Sequence, residues 1–128
     1  MAGYLLDTSV IVDILNGRNG REQVLERLLN QGHLLACCAV NVAEVYAGVR
    51  PKEEARTRAF LESLEYLDLR WDVAQRAGLI KRDWARKGRT LSIADSIIAA
   101  VAIDNGCTLI TDNVKDFPMK ELALYPLD

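Results

Sequence analysis

The chain has 128 residues and a formal net charge of −2, and half of its residues are hydrophobic. This length favours a single domain over residues 1–128, with enough chain to bury a core. The negative charge excludes a protein that coats nucleic acid through charge alone, so a role on nucleic acid would need a basic patch and a cation. Because no basic segment precedes the first apolar residues and no uncharged apolar stretch is long enough to cross a membrane, we expect a cytoplasmic protein.

The three cysteines do not form a pattern typical of a disulfide or zinc site. Cys37 and Cys38 are adjacent, and Cys107 lies far from them in an apolar segment. An odd number of cysteines without metal-like spacing indicates small hydrophobic residues in strands. His33 is the only histidine, so the sequence supports neither a catalytic triad nor a histidine-rich metal site.

The first part of the chain alternates short apolar runs with helical patterns. The run at 3–7 predicts a strand, and a helix over 8–15 follows hydroxyl residues suited to capping. The segment NGRNG at 16–20 breaks this helix. Apolar residues at helical spacing predict a second helix over 21–32, and the apolar run at 33–40 predicts a buried strand.

The middle of the chain is predicted to be mainly helical. We expect a helix over 41–49 that ends before Pro51, then a helix within 51–67 with this proline in its first turn. A short strand over 66–70 precedes an amphipathic helix over 72–88 that closes at a glycine.

The last elements complete an α/β pattern. An apolar helix over 92–105 is followed by a strand over 107–111, and Pro126 indicates an edge strand over 123–127. Short apolar strands that alternate with helices predict a parallel sheet covered on both faces. In such sheets functional groups gather beyond the carboxyl ends of the strands, so the acidic residues at those positions deserve comparison.

Four acidic residues occupy positions of this kind. Asp7 and Asp112 each end a predicted strand, Asp95 lies in the first turn of the apolar helix, and Glu44 has apolar or small helical neighbours. Each has a simpler explanation when taken alone. Asp7 would cap a helix, Asp95 would complete a capping box with Ser92, Asp112 would form a turn, and Glu44 would point to solvent.

Taken together, these acids predict a cation site. Two carboxylates about 4 Å apart repel each other by roughly 4 kcal/mol at an effective dielectric constant near 20. Acids that meet must therefore raise their pKa values or hold a cation. Mg²⁺ and Mn²⁺ prefer such oxygen ligands, and a metal-bound water near a phosphodiester is a nucleophile.

The chain resembles the PIN-domain ribonucleases, and more closely the VapC-type toxins of toxin–antitoxin pairs. The matching blocks are LLDTSVIVDIL at 5–15, NVAEVYAGV at 41–49 and LSIADSIIAAVAIDNGCTLITDNVKDF at 91–117. The resemblance covers essentially the whole chain. It implies a PIN-like three-layer αβα sandwich with a central, mainly parallel sheet, and an acidic cluster that binds Mg²⁺ or Mn²⁺ and cleaves RNA.

The resemblance also implies roles for individual acids. Asp7, Glu44 and Asp95 fall on the first three acidic positions of the family, and Asp7 and Asp95 are the expected direct metal ligands. Asp112 falls on the fourth position, where the pattern is looser, and Asp116 is expected to assist or replace it.

Other expected features concern the neighbours and partners of the site. Thr8 and Thr111 are expected to hydrogen-bond acids or metal-bound water. The resemblance implies a homodimer that a VapB-type antitoxin holds inactive, commonly by placing an arginine in the acidic site, where a guanidinium can bridge carboxylates.

The segment KRDWARKGR at 81–89 is the candidate for RNA contacts. Five of its nine residues are basic, and the contacts would come from Arg82, Arg86, Lys87 and Arg89, with Trp84 as a stacking surface. The alternative is a solvated helix face that carries a core tryptophan.

Two other function classes compete with a metal-dependent nuclease. A non-catalytic PIN-like module would bind RNA or a protein, but such a module need not retain four acids. A phosphatase or phospho-receiver also uses acids on a parallel sheet. A phosphatase of the haloacid dehalogenase type would want an aspartate two residues after the nucleophile, where this chain has Ser9.

Overall fold

The computed structural model describes residues 3–128, which include five strands in one sheet. The order across the sheet is β3-β2-β1-β4-β5, and every neighbouring pair is parallel. The central strand β1 therefore lies between β2 and β4. The strands are β1 (Tyr4–Leu6), β2 (Leu35–Cys38), β3 (Glu65–Leu67), β4 (Thr108–Thr111) and β5 (Ala123–Pro126).

Six α-helices in the described residues connect and cover these strands. Short 3₁₀ turns at Pro51–Glu53 and Val114–Asp116 add to them. The helices are α1 (Thr8–Leu15), α2 (Arg21–Asn30), α3 (Ala39–Ala47), α4 (Glu54–Glu62), α5 (Trp71–Arg86) and α6 (Ile93–Asp104).

Successive strand residues face opposite layers of the core. Leu5 and Leu109 pack with α5 and α6 on one face of the sheet. Leu6 and Ile110 pack with residues of α1 to α4 on the other face. Because side chains alternate along a strand, a strand that is apolar at every position must be covered on both sides. The fold is the predicted PIN-like three-layer αβα sandwich, and the described sheet is wholly parallel.

Several element boundaries differ from the predictions. The strand predicted over 33–40 ends at Cys38, because the side chain of Asn41 accepts a hydrogen bond from the Cys38 N–H and α3 begins at the next residue. Pro51 opens a 3₁₀ turn before α4 rather than the helix itself. The strand predicted over 66–70 occupies Glu65–Leu67.

The cysteines and the edge strand follow the predictions. All three cysteines are buried and free, and burial raises the pKa of the Cys37 thiol to about 11. Strand β5 lies at the sheet edge, where Pro126 is in register with Thr111 of β4 and a residue without an N–H is tolerated. No helix within residues 3–128 has both the length and the apolar character needed to cross a bilayer.

Adjacent leucines of α2 test this packing. Leu28 is 2% exposed in the core layer below α2, whereas Leu29 is 53% exposed. Leu28→Ala is expected to lower the free energy of unfolding by about 2–5 kcal/mol, because it removes buried surface and leaves a cavity. Leu29→Ala makes the same chemical change with little effect. Urea unfolding of both variants checks this, and equal losses would contradict the layer assignment.

Candidate active site

Asp7 lies at the carboxyl end of the central strand and is 5% exposed. It is the N-cap of α1, where its Oδ1 accepts a hydrogen bond of 2.9 Å from the Thr8 N–H. Its Oδ2 accepts a 2.7 Å hydrogen bond from the hydroxyl of Thr111, which is fully buried at the end of neighbouring β4. Asp7 therefore serves as a cap, and its orientation is fixed from two elements.

The surroundings of Asp7 are unfavourable for a negative charge. Burial is the largest cause that raises the pKa of this carboxyl, and the nearby carboxyls of Asp95 and Asp112 raise it further. The hydrogen bonds from Thr111 and Thr8 offset part of this rise, but the pKa stays above its usual range. A cation beside Asp7 would relieve both the desolvation and the repulsion.

Glu44 lies on α3, next to the start of α1. Its side chain is exposed, and its Oε1 accepts a 2.7 Å hydrogen bond from the Thr8 hydroxyl. The same hydroxyl accepts a 2.9 Å hydrogen bond from the Asn41 amide. Thr8 therefore contacts both Asp7, through its N–H, and Glu44, through its hydroxyl.

Asp95 lies in the first turn of α6 and is half-buried. Its N–H donates a 3.0 Å hydrogen bond to the hydroxyl of Ser92, which is the N-cap of the helix. Burial raises the pKa of the Asp95 carboxyl, the Ser92 side chain partly offsets this rise, and the carboxyls of Asp116 and Glu44 add to it. This position at a helix N-terminus favours the negative charge that a ligand needs.

Asp112 is already engaged by other side chains of the protein. Its Oδ1 accepts a 2.8 Å hydrogen bond from the Ser9 hydroxyl, and its Oδ2 lies 3.3 Å from an Arg21 nitrogen. Arg21 is buried, and its Nε lies 3.5 Å from Asp13. Asp116 lies in the 3₁₀ turn after β4 and is close enough to Asp95 to raise its pKa.

The acids lie at one edge of the sheet but are not preassembled into a tight cluster. Within residues 3–128, no three acidic, histidine or cysteine side chains form a ready cluster for an ion. The donor set nevertheless fits a hard divalent cation, because its atoms are carboxylate oxygens and the nearby charges repel one another. Asp7 and Asp95 are the pair whose pKa values are raised by burial and by neighbouring acids.

Three residues around the acids were not singled out by the sequence analysis. Asn41 donates a hydrogen bond to Thr8, which holds Glu44, whereas Ser9 donates to Asp112 and Arg21 pairs with it. Asn41 lies three residues before Glu44, a spacing that puts both on neighbouring turns of a helix. Arg21 carries no local signal, because its partner is distant in the chain.

In the basic segment at 81–89, two of the four residues predicted to contact RNA already contact neighbouring side chains. Arg82 forms an ion pair of 3.0 Å with Asp83, and the Lys87 ammonium lies 4.5 Å from the centre of the Trp84 ring. Trp84 is half-buried against the core layer of α5 and α6. Arg86 and Arg89 are exposed.

Comparison with known proteins assigns the chain to a family. Residues 4–120 match the family model described as "PIN domain". The chain is 34% identical to ribonuclease VapC19 of Mycobacterium tuberculosis over 115 residues, covering 90% of this chain and 92% of that protein. It is 28% identical to ribonuclease VapC2 of Haemophilus influenzae, with 91% of each chain covered.

A solved structure agrees with these relatives. The structure superposes with a TM-score of 0.85 on a chain from the crystal structure of VapBC2 of Rickettsia felis bound to a promoter DNA fragment. The two share 27% sequence identity over 98% of each chain. The chain therefore belongs to the PIN-domain family, and within it to the VapC ribonucleases.

Proposed function

We propose that this protein is an Mg²⁺- or Mn²⁺-dependent endoribonuclease and the toxin of a type II toxin–antitoxin pair. The observation that carries the proposal is the buried Asp7 carboxylate at the end of β1, with Asp95 and Asp112 near enough to raise its pKa. Its relatives are named as ribonucleases. A carboxylate in such surroundings is costly unless it holds a cation or a proton for function.

Asp7 and Asp95 are the proposed metal ligands. The bound ion would supply an activated water and stabilise negative charge on the scissile phosphate. The protein holds Asp7 in place with the Thr8 N–H and the Thr111 hydroxyl. The Thr8 hydroxyl holds Oε1 of Glu44, which leaves Oε2 of that carboxylate to take a proton from the attacking water.

We assign the fourth acidic role to Asp116 and a supporting role to Asp112. Both oxygens of Asp112 are occupied by Ser9 and Arg21, so its charge is largely satisfied within the protein. Asp116 is half-buried beside Asp95. An acid without a competing internal cation is better suited to a metal or to its bound water.

The substrate contacts are proposed to come from the end of α5 and the turn that follows. Arg86 and Arg89 are exposed there, just before the loop that leads to Asp95. Arg82 and Lys87 add positive charge, although each already contacts a neighbouring side chain. These basic residues would provide local positive charge for phosphate contacts, although the net charge of the protein is negative.

Single neutralising substitutions test the nuclease proposal. Asp7→Asn, Asp95→Asn and Glu44→Gln are each expected to lower the rate of RNA cleavage by about 100-fold or more, because the first two weaken a proposed metal ligand and the third removes the proposed proton acceptor. Asp116→Asn is expected to cost more activity than Asp112→Asn. The measurement is single-turnover cleavage of a total RNA extract with Mg²⁺ or Mn²⁺, followed by sequencing of the RNA ends.

Asp68→Asn provides the matched control. Asp68 also follows a strand end, that of β3, but its side chain is exposed, so the rate should not change. Full cleavage by folded Asp95→Asn protein would remove Asp95 from the mechanism. Metal-independent RNA binding without cleavage would instead favour the non-catalytic module.

The buried charge also predicts a trade-off between stability and activity. Without divalent ions, Asp7→Asn is expected to raise the free energy of unfolding by about 0.5–2 kcal/mol, since an amide removes the buried charge. Its oxygen can still accept from the Thr8 N–H, and its Nδ2 then donates to the Thr111 hydroxyl oxygen. Mn²⁺ should raise the Tm of the unsubstituted protein but not that of the variant. Thermal unfolding with EDTA and with Mn²⁺ measures both effects, and an equal Mn²⁺ shift in the variant would exclude Asp7 as a ligand.

We further propose a homodimer that is inhibited by a VapB-type antitoxin. The support is that a solved relative is the VapBC2 complex of Rickettsia felis. A cationic side chain from the antitoxin would suit the acidic edge around Asp7 and Asp95. This proposal concerns regulation and stands apart from the cleavage chemistry.

Co-expression tests the partner. We expect the neighbouring gene to encode a small antitoxin that co-purifies with the chain, and light scattering of the chain alone should give twice its 14.3 kDa mass. An equimolar amount of the small protein should abolish RNA cleavage, because it covers the acidic edge. Unchanged cleavage despite a stable complex would contradict inhibition at this site.

A further inference from the structure

We infer that Asn41 is a positioning residue, which fixes the direction of a hydrogen-bond chain that ends at the carboxylate of Glu44. This inference rests on the proposed nuclease function and adds a residue to its site. The chain runs from the Asn41 amide to the Thr8 hydroxyl over 2.9 Å and from there to Glu44 over 2.7 Å.

The backbone fixes the orientation of the Asn41 amide. The N–H of Cys38 donates a 2.8 Å hydrogen bond to Asn41 Oδ1. A backbone N–H is only a donor, so the amide oxygen must face it. The Nδ2 group is then left to face Thr8, where it is a donor in turn.

The orientation of Asn41 decides where the Thr8 proton lies. The Thr8 hydroxyl has one proton, and its oxygen already accepts from Asn41 Nδ2. Its own proton must therefore point to its other partner, Oε1 of Glu44. The hydrogen-bond chain therefore has a single direction, and the Thr8 hydroxyl is its donor to the Glu44 carboxylate.

This hydrogen-bond chain links a residue of the core to an exposed acid. Asn41 is fully buried, whereas Glu44 is exposed. An exposed glutamate loses considerable rotamer entropy when it is held in one position. The Asn41 amide and the Thr8 hydroxyl restrain the Glu44 side chain before substrate binds, so this entropy is already lost in the folded protein. Oε1 of Glu44 is held, and Oε2 stays free for the reaction.

A double-mutant cycle tests the inference. Asn41→Ala and Thr8→Val are each expected to lower kcat for RNA cleavage by about 10-fold with little change in KM, the size of effect seen for residues that orient a reacting group. If Asn41 acts through Thr8, Asn41→Ala should cost less than about twofold more in the Thr8→Val background. Thr8→Ser keeps the hydroxyl and should retain activity.

Val45→Ala is the matched control for structural damage. Val45 is buried one turn after Asn41 on α3 and has no polar link to the acids. It should lower stability and leave kcat per folded molecule unchanged. Additive effects of Asn41→Ala and Thr8→Val, or full kcat in Asn41→Ala, would overturn the inference.

A readout without RNA or metal separates this inference from the proposed function. In NMR spectra, the Asn41 side-chain amide protons should exchange slowly in the unsubstituted protein and in Thr8→Ser, and faster in Thr8→Val. Equal exchange rates would overturn the hydrogen-bond chain itself. If the unsubstituted protein cleaves no RNA with any divalent ion, the proposed function fails, while the exchange comparison still tests the chain.

Discussion

The carboxylate of Asp7 is buried at the end of the central strand, and the rest of the site is arranged around this unfavourable burial. Desolvation raises its pKa, and neighbouring acids raise it further. Hydrogen bonds from Thr8 and Thr111 compensate in part and fix the carboxylate in one orientation. The remaining electrostatic cost is what a bound cation would remove, so the same burial that lowers stability creates affinity for a divalent ion.

The parallel sheet explains why distant residues meet at this point. Strand β1 pairs with both β2 and β4, so the residues after all three strands lie at one edge. Thr111 reaches Asp7 from β4, and Asn41 reaches Thr8 from the helix that follows β2. Helices α1 and α3 begin directly beyond β1 and β2, and helix N-termini supply N–H groups that favour negative charge. The fold therefore gathers Asp7, Glu44 and their hydrogen-bond donors at this edge, and Asp112 and Asp116 come from the segment that follows β4.

Much of the fold could be predicted because its signals are local. Apolar pairs such as Leu5 and Leu6 indicate strands buried on both faces, and the structure distributes them to the two core layers. The strand-end positions of Asp7 and Asp112 are readable for the same reason. The pairing of Arg21 with Asp112 was not readable, because it joins residues 91 positions apart. The role of Asn41 could not be predicted, because an asparagine near a helix start is typical of an ordinary cap. Its contact with Thr8 joins residues 33 positions apart.

The most direct test of the account is a crystal structure of the protein soaked with Mn²⁺, with anomalous scattering used to locate the ion. The account predicts one or more ions at the carboxyl edge of the sheet, with oxygens of Asp7 and Asp95 both bound to manganese. Anomalous density elsewhere on the surface, with these two carboxylates unligated at saturating Mn²⁺, would contradict it.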